Sequence, residues 1–289
     1  MATRLFRFAP SPNGYLHLGH AYSALFNDRL SRESGGQFLL RIEDIDRGRS
    51  RPEFEAAITE DLDWLGLDWP RPPRRQSQHF GDYAAALDLL RRRGPAFPCF
   101  CARSRLAAHA AERPDGPRDP DGAPHYPGFC KGLSHAEADR RIAAGEPFSL
   151  RLDMRVALAE ISAPLVYREF HEGAEARIVE ARPQDWGDAM IGRRDVPASY
   201  HLACVLDDAL QGVSDVARGA DLEAATSLHL LLQRLLDLPT PDYRHHRLVL
   251  EADGRKLSKS KASPALRDFR AQGATPEDIR AELEWRMGA

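Results

Sequence analysis

Hydrophobic positions in the first third of the chain switch repeatedly between strand spacing and helix spacing. Residues 4–9 alternate apolar with polar side chains and are rich in Phe, which predicts a strand. Residues 16–34 have apolar side chains at helical spacing, and Gly35 ends that predicted helix. A buried strand over 37–42 and a helix over 52–65 follow. This order of elements predicts the start of a parallel α/β sheet.

The middle of the chain has a different pattern. Residues 112–128 contain five prolines and three glycines, too many for a helix or a central strand. Ser134 begins a capping box that predicts a helix ending at Gly145, and a strand is predicted over 148–155. We therefore predict that residues 95–185 form an insertion between two halves of the sheet domain.

The last third predicts a return to the sheet. Residues 199–206 are largely apolar and predict a strand, and residues 221–238 predict an apolar helix. Thr275 caps a final predicted helix. The predicted organisation is a first half of the sheet domain over 1–94, the insertion over 95–185, a second half over 186–240, and a lysine loop with a small helical region over 241–289.

Composition limits the class of protein. Hydrophobic residues make up 43% of the 289 residues and charged residues 29%, as in soluble globular proteins. No run reaches the ~18 apolar residues that a membrane span needs, and the N-terminus has no apolar secretion segment, so we expect a cytoplasmic protein without membrane contact. The net charge of −3 confines any nucleic-acid contact to a local patch.

Lysine is concentrated in one place. The chain has 40 basic residues, but only four are lysines, and three of these are Lys256, Lys259 and Lys261. Lysine is a compact charge on a flexible stem, which suits a loop that must follow a phosphate group. The segment predicts an anion-binding loop, and the alternative is an ordinary solvated turn.

Two histidines lie where the first predicted helix begins. His17 and His20 are three residues apart and so share a helix face, and Gly19 between them would let a flat base approach the backbone. A helix N-terminus that follows a strand and a Pro/Gly loop favours phosphate. The alternatives are a polar helix surface and a metal-binding pair.

These two segments carry a family resemblance. His17-Leu-Gly-His20 and Lys256-Leu-Ser-Lys-Ser260 resemble the two signature sequences of class I aminoacyl-tRNA synthetases. Three further segments resemble the glutamyl branch of that family: Arg7-Phe-Ala-Pro-Ser-Pro12, Arg41-Ile-Glu-Asp-Ile-Asp46 and the region from Tyr200 to Asp208. The resemblance implies a Rossmann-type parallel sheet with a zinc-bearing insertion, and the activation of glutamate with ATP and Mg²⁺.

The resemblance also implies roles for individual residues. His17, His20 and Lys259 would be catalytic, and the ATP-binding residues would be these three with Gly19 and Lys256. The glutamate-binding residues would be Arg7, Ser11, Glu43, Tyr200 and Arg218.

Each implied glutamate contact has a chemical reason. Arg7 and Arg218 match the side-chain carboxylate, because a guanidinium binds a carboxylate through two hydrogen bonds. Glu43 would take the ammonium group, and Ser11 and Tyr200 would supply neutral hydrogen bonds. The chain departs from the family pattern at Asn13, where threonine is expected, and at Cys204, where asparagine is usual.

A cysteine cluster predicts a metal site in the insertion. Cys99, Cys101 and Cys130 lie within 32 residues, and zinc needs four ligands. The sequence offers His109, His125 and Tyr126 as the fourth ligand. Ligand chemistry favours His125, whereas the family resemblance favours Tyr126, which we take as the prediction. The alternative is three free thiols.

The acceptor is inferred from the C-terminal end of the sequence. Only 30 residues follow Lys259, so we expect no anticodon-binding domain. The chain therefore resembles short members of the glutamyl branch, which activate glutamate without tRNA and transfer it to queuosine at the wobble position of tRNA(Asp). The alternatives are a truncated glutamyl-tRNA synthetase that charges a tRNA 3′ end, and a non-catalytic zinc-containing paralogue that binds RNA.

Overall fold

The computed structural model describes residues 3–170, 175–250 and 263–287. The helices in this part of the chain are α1 (Leu18–Glu33), α2 (Pro52–Trp64), α3 (Phe80–Arg93), α4 (Arg103–Ala111), α5 (His135–Ala143), α6 (Met154–Ala159), α7 (Tyr200–Leu210), α8 (Ala225–Leu235), α9 (Leu266–Ala271) and α10 (Pro276–Met287). The strands are β1 (Leu5–Phe8), β2 (Gln37–Ile42), β3 (Arg74–Arg75), β4 (Ala96–Cys99), β5 (Ser149–Leu152), β6 (Val166–Glu169), β7 (Arg177–Glu180), β8 (Met190–Gly192), β9 (Asp215–Gly219) and β10 (Asp242–His246).

The main sheet has the order β3-β2-β1-β9-β10-β6-β7. Every neighbouring pair is parallel except β6 with β7. The chain passes from β1 to β2 towards one edge of the sheet and from β9 to β10 towards the other edge. The gap between β1 and β9 is therefore the switch point where α/β sheets bind ligands. The predicted α/β class with a Rossmann-type parallel sheet is confirmed.

Helices cover both faces of the sheet. One hydrophobic cluster packs α1, α2, α9 and α10 against β1 and β2, and another packs α3, α6, α7 and α8 against β6, β9 and β10. Side chains alternate along β1, so Phe8 joins the first cluster while Arg7 reaches α7 on the other face. None of the described helices is both long and apolar enough to cross a membrane.

Local signals place several elements close to their predicted bounds. β2 spans the predicted residues, and α1 and α2 begin and end within two residues of their predictions. Ser134 caps α5 by accepting a hydrogen bond from the Glu137 amide, and Thr275 caps α10 in the same way from Asp278. Within residues 112–128 the structure has neither a helix nor a strand.

The prediction of a strand over 199–206 is wrong, because these residues begin α7. The Ser199 hydroxyl accepts a hydrogen bond from the Leu202 amide and so caps this helix. Residues 202–208 are all buried, which leaves no polar face to reveal the helical period. A buried helix and a buried strand look alike in such a short apolar run.

Strand pairing also departs from the predicted insertion boundaries. β4, β5 and β8 form a separate antiparallel sheet, as an insertion should. However, β6 and β7 lie within 95–185 and yet extend the main sheet through β10, whereas β8 lies beyond 185 and pairs with the insertion. The predicted strand over 148–155 ends at Leu152, since Asp153 caps α6.

Candidate active site

A cavity of about 490 Å³ opens at the carboxyl ends of β1 and β9, at the switch point of the main sheet. Eight of the predicted site residues line it: Arg7, Ser11, His17, Gly19, His20, Glu43, Tyr200 and Arg218. These residues come from positions up to 211 apart in the chain, and the fold brings them together. Lys256 and Lys259 lie outside the described residues.

The histidine pair forms the N-terminus of α1. His17 is the N-cap, and its Nδ1 accepts a hydrogen bond from the Gly19 amide at 3.1 Å. The Nδ1 of His20 accepts a hydrogen bond from the His17 amide at 3.2 Å. Because both Nδ1 atoms are acceptors, each Nε2 carries the hydrogen. A helix N-terminus with two imidazole donors suits a bound phosphate chain.

Two buried arginines share one carboxylate on the other side of the cavity. Arg7 Nε donates to Asp208 Oδ1 at 3.0 Å, and Arg41 Nη1 donates to the same oxygen at 2.7 Å. Arg41 Nη2 also donates to Glu43 Oε1 at 3.1 Å. The two guanidinium groups are therefore fixed in orientation and balanced in charge before any substrate arrives.

The buried charges shift the pKa values of both carboxylates. Burial raises the pKa of Asp208, but the charges and hydrogen bonds of Arg7 and Arg41 outweigh burial and lower it to about 2. Burial raises the pKa of Glu43, and the Arg41 and Arg7 charges offset only part of that effect. An additional positive group beside Glu43, such as a substrate ammonium, would favour its charged form.

Cys204 belongs to the support of the site and does not line the cavity. Its thiol lies 3.6 Å from Asp208 Oδ2 and 3.7 Å from Arg41 Nη2. Burial and the Asp208 charge raise the pKa of this thiol to about 12, so it remains a neutral donor. Cys204, which departs from the family pattern, therefore contacts the arginine–aspartate cluster and not the cavity itself.

Arg218 lies on β9 and is held by neutral groups. Its Nη2 donates to Thr226 Oγ1 at 2.7 Å, and its Nη1 donates to His229 Nδ1 at 3.2 Å. Tyr200 is the first residue of α7, and burial raises the pKa of its hydroxyl, which stays a neutral hydrogen-bonding group.

Sequence reasoning assigned no role to four residues that build the site: Arg41, Asp208, Thr226 and His229. A usable signal existed for Asp208, because two adjacent acidic residues end a long apolar run and must find buried partners. Thr226 and His229 gave no such signal, since they lie within an ordinary apolar helix.

A second cavity of about 460 Å³ adjoins the first and shares Ser11, Asn13, Glu43 and Tyr200 with it. Its far wall comes from the insertion and includes Tyr126. The sheet domain and the insertion thus enclose a space continuous with the candidate glutamate pocket.

Three thiols converge in the insertion as the sequence predicted. The sulfur atoms of Cys99, Cys101 and Cys130 lie within 4.8 Å of one another, and all three residues are buried and unpaired by disulfides. The Cys101 and Cys130 sulfurs are 3.6 Å apart. Two sulfurs bound at about 2.3 Å to one tetrahedral zinc would lie about 3.8 Å apart, so these residues fit a zinc ion.

The candidates for the fourth ligand occupy different surroundings. The Tyr126 hydroxyl lies 3.7 Å from Cys101 Sγ and accepts a hydrogen bond from the Cys130 amide at 2.7 Å. His125 Nε2 instead lies 3.0 Å from the Asp185 carbonyl oxygen. His109 lies on α4 and contacts Arg113, which follows the C-terminal end of that helix. Of the three, Tyr126 is the one whose side chain contacts the thiols.

Comparison with known proteins identifies the type of domain. The sequence pattern of the family described as "tRNA synthetases class I (E and Q), catalytic domain" matches residues 5–288. A protein named glutamyl-Q tRNA(Asp) synthetase from Rhodobacter capsulatus is 43% identical over 279 residues, which cover 95% of this chain and 97% of that protein.

Longer relatives match the same region. A glutamate–tRNA ligase from Nitrosococcus oceani is 40% identical over 281 residues, which cover 94% of this chain and 57% of the ligase. The crystal structure of a glutamate tRNA ligase from Elizabethkingia meningosepticum in complex with its amino acid superimposes with a TM-score of 0.73 and 26% identity, covering 94% of this chain and 54% of that one. The chain thus spans little more than half the length of these two ligases.

Proposed function

We propose that this chain, which belongs to the class I tRNA synthetases for glutamate and glutamine, activates L-glutamate with ATP and transfers it to queuosine in tRNA(Asp). One observation carries the proposal. A single cavity at the switch point combines arginines and a carboxylate suited to glutamate with two histidines at a helix N-terminus suited to ATP.

Recognition of glutamate follows from the distribution of charge. Arg7 shares its charge with Asp208, and Arg218 has no carboxylate partner in the part of the chain that the structure describes. Arg218 with Arg7 would bind the side-chain carboxylate, and Glu43 would bind the ammonium group. Ser11 and Tyr200 supply neutral hydrogen bonds. Charged hydrogen bonds of roughly 1.5–3 kcal/mol each discriminate glutamate from glutamine.

The first step joins glutamate to the nucleotide. An oxygen of the glutamate α-carboxylate attacks the α-phosphorus of ATP, and the bond to the bridging oxygen breaks, so that glutamyl-adenylate and pyrophosphate form. His17, His20 and Lys259 stabilise the charge that develops on the phosphates, with Gly19 and Lys256 completing the ATP site. Mg²⁺ bound with ATP would neutralise phosphate charge.

The second step needs an acceptor hydroxyl. The cavity between the sheet domain and the insertion adjoins the glutamate pocket and offers room for a nucleobase from an anticodon loop. The alignment with this chain covers 97% of the Rhodobacter protein. The name of that protein supports queuosine in tRNA(Asp) as the acceptor. ATP and tRNA are cytoplasmic, and we place the reaction there.

The insertion would hold one structural zinc ion. Cys99, Cys101 and Cys130 supply three thiolate ligands, and Tyr126 would supply the fourth. The metal would fix the fold of the proline-rich segment 112–128 and take no part in the chemistry.

Pyrophosphate exchange tests the first step. The enzyme should exchange labelled pyrophosphate into ATP when glutamate is present and without any tRNA. Labelled glutamate should then appear on tRNA(Asp) that contains queuosine and not on tRNA(Asp) that lacks it, and removal of the 3′-terminal adenosine should leave this product unchanged.

The second candidate function is a glutamate–tRNA ligase, because the Nitrosococcus ligase is nearly as similar as the Rhodobacter protein. Charging of tRNA(Glu) that is abolished by trimming the 3′ end would establish that function instead. Absence of glutamate-dependent exchange would favour a non-catalytic RNA-binding paralogue.

A further inference from the structure

Arg218 differs from the other buried arginines of the cavity in the kind of partner that holds it. Asp208 pairs with both Arg7 and Arg41. Arg218 is equally buried, with 4% of its surface exposed, yet its hydrogen-bond partners among the described residues are a hydroxyl and an imidazole. A buried charge without a counter-charge is costly, so its persistence in a binding cavity needs a reason.

We propose that Thr226 and His229 are positioning residues that aim the Arg218 guanidinium into the cavity and leave its charge unpaired for the side-chain carboxylate of glutamate. The inference rests on the proposed function and deepens it, because it names the residues that set specificity for an acidic side chain.

The first arm of this support runs through Thr226. Its hydroxyl accepts from Arg218 Nη2 at 2.7 Å and donates to His245 Nε2, which is 3.0 Å away. His245 Nδ1 then donates to Glu169 Oε1 at 2.5 Å. Glu169 in turn accepts from Arg177 Nε at 2.7 Å. Since every group in this arm has one consistent donor or acceptor role, the Thr226 hydroxyl cannot rotate without losing a bond.

The second arm runs through His229. Its Nδ1 accepts from Arg218 Nη1 at 3.2 Å, so the hydrogen of the neutral ring lies on Nε2 and points to His201 Nδ1, also at 3.2 Å. Thr226 and His229 are 0% and 2% exposed, so water cannot replace either of them. Together the two arms fix both terminal nitrogens of Arg218 from behind.

The imidazoles of both arms stay neutral near pH 7. Burial and the Arg218 charge lower the pKa of His229 well below its ordinary value. Burial and the same charge also lower the pKa values of His201 and His245 to about 4. The nearest carboxylate of the network, Glu169, is separated from Arg218 by Thr226 and His245 and is itself paired with Arg177. The positive charge of Arg218 is therefore left for a ligand.

A purely structural role would have a different signature. Arg218 also lies over the Tyr243 ring, with its central carbon 5.6 Å from the ring centre, so packing alone would keep it in place. In that case loss of the Thr226 hydroxyl would lower stability without changing the affinity for glutamate.

Steady-state pyrophosphate exchange without tRNA separates these roles. Thr226→Val removes the hydroxyl at nearly constant volume, and we expect KM for glutamate to rise about tenfold while KM for ATP and kcat change less than threefold. Thr226→Ser keeps the hydroxyl and should restore the wild-type KM. Ser227→Ala is a matched control, because this neighbouring hydroxyl accepts a hydrogen bond from the Arg182 amide and makes no hydrogen bond to Arg218.

Thr226→Asp decides the question if the valine variant does not fold. A carboxylate at this position pairs with Arg218 and neutralises its charge. KM for glutamate should therefore rise about a hundredfold, and the preference for glutamate over glutamine should fall. The wild-type enzyme could show glutamate-dependent pyrophosphate exchange while neither Thr226→Val nor Thr226→Asp changes its KM for glutamate. That result overturns this inference alone. A wild-type enzyme without glutamate-dependent exchange overturns the proposed function as well.

Discussion

The cavity of the main sheet and the thiol cluster of the insertion are both built from buried polar groups, but they are stabilised differently. In the cavity, Arg7 and Arg41 already have Asp208 as a counter-charge. In the insertion, Cys101 and Cys130 have mainly each other and the Tyr126 hydroxyl. In the first site Arg7 and Arg41 have their counter-charge without any ligand, whereas the second site would be completed by the proposed zinc ion.

This difference predicts which property of the protein each substitution will change. Changes among the cavity's internal ion pairs should cost stability, and changes among its ligand-facing groups should cost rate or affinity. In the insertion the proposed zinc ion would be coupled to the fold, so loss of a thiol should cost both metal and stability with little effect on adenylate formation.

The largest expected effect comes from Asp208→Asn. This change leaves Arg7 and Arg41 buried with one counter-charge fewer, and breaking such a buried pair costs about 3–5 kcal/mol. Urea unfolding at pH 7 measures the loss. Asp88→Asn is the matched control, since Asp88 and Arg92 form an exposed pair on α3 worth less than ~1 kcal/mol. Equal losses in the two variants would contradict the idea of a preassembled cavity.

Lys259→Ala should affect rate and leave stability unchanged. An ammonium group that meets phosphate charge only in the transition state contributes a rate factor of roughly 10²–10³. The measurement is glutamate-dependent pyrophosphate exchange, with Lys131→Ala as the control, because Lys131 lies in the insertion and pairs with Asp188. An unchanged rate in Lys259→Ala would remove the lysine loop from the mechanism.

Metal removal tests the insertion. We expect about one zinc ion per chain by elemental analysis of protein prepared without chelators. Cys130→Ser should lose the metal and lower the free energy of unfolding by about 2–3 kcal/mol, which corresponds to a fall in Tm of roughly 5 °C. Exchange activity at low temperature should stay within about threefold of wild type. Metal-free protein of unchanged Tm would show three ordinary buried thiols.

The fourth ligand is tested by a pair of variants. Tyr126→Phe should lower the zinc content and His125→Ala should not, because His125 Nε2 lies beside the Asp185 carbonyl oxygen. The opposite result would assign the fourth position to His125.

The smallest expected effect is a pH dependence in the cavity. The pKa of Asp208 is lowered to about 2, whereas that of an unfolded aspartate is about 3.9. Stability from this carboxylate is therefore fully present above pH ~4 and is lost as the pH falls towards 2, a change of about 2 kcal/mol. The difference in unfolding free energy between wild type and Asp208→Asn should shrink over that range. A constant difference would contradict the lowered pKa.

Much of the main sheet could be predicted from the sequence, because local patterns determine where its first elements begin and end. β2 and α1 follow directly from a buried apolar run and from helical spacing closed by Gly35. The family signatures also placed eight of the site residues, which line one cavity. These residues meet at one cavity because most of them lie near strand ends, and parallel strands bring their ends to one edge of the sheet.

The failures share a physical cause. Residues 202–208 are all buried in α7, so the largely apolar run over 199–206 shows no helical period. β6 and β8 each belong to a sheet other than the one their position in the chain suggests, because strand pairing depends on partners far away in sequence. Local patterns contain no information about such partners.

The sequence by itself determined the α/β class, and it supplied the residues that we propose to bind glutamate and ATP and the three thiols that we propose to bind zinc. Only the tertiary structure decided that Asp208 pairs with both Arg7 and Arg41, while Thr226 and His229 hold Arg218 without supplying a counter-charge. The reason is that the charge state of a buried group is set by neighbours within a few ångströms, and those neighbours come from strands and helices that are distant in the chain.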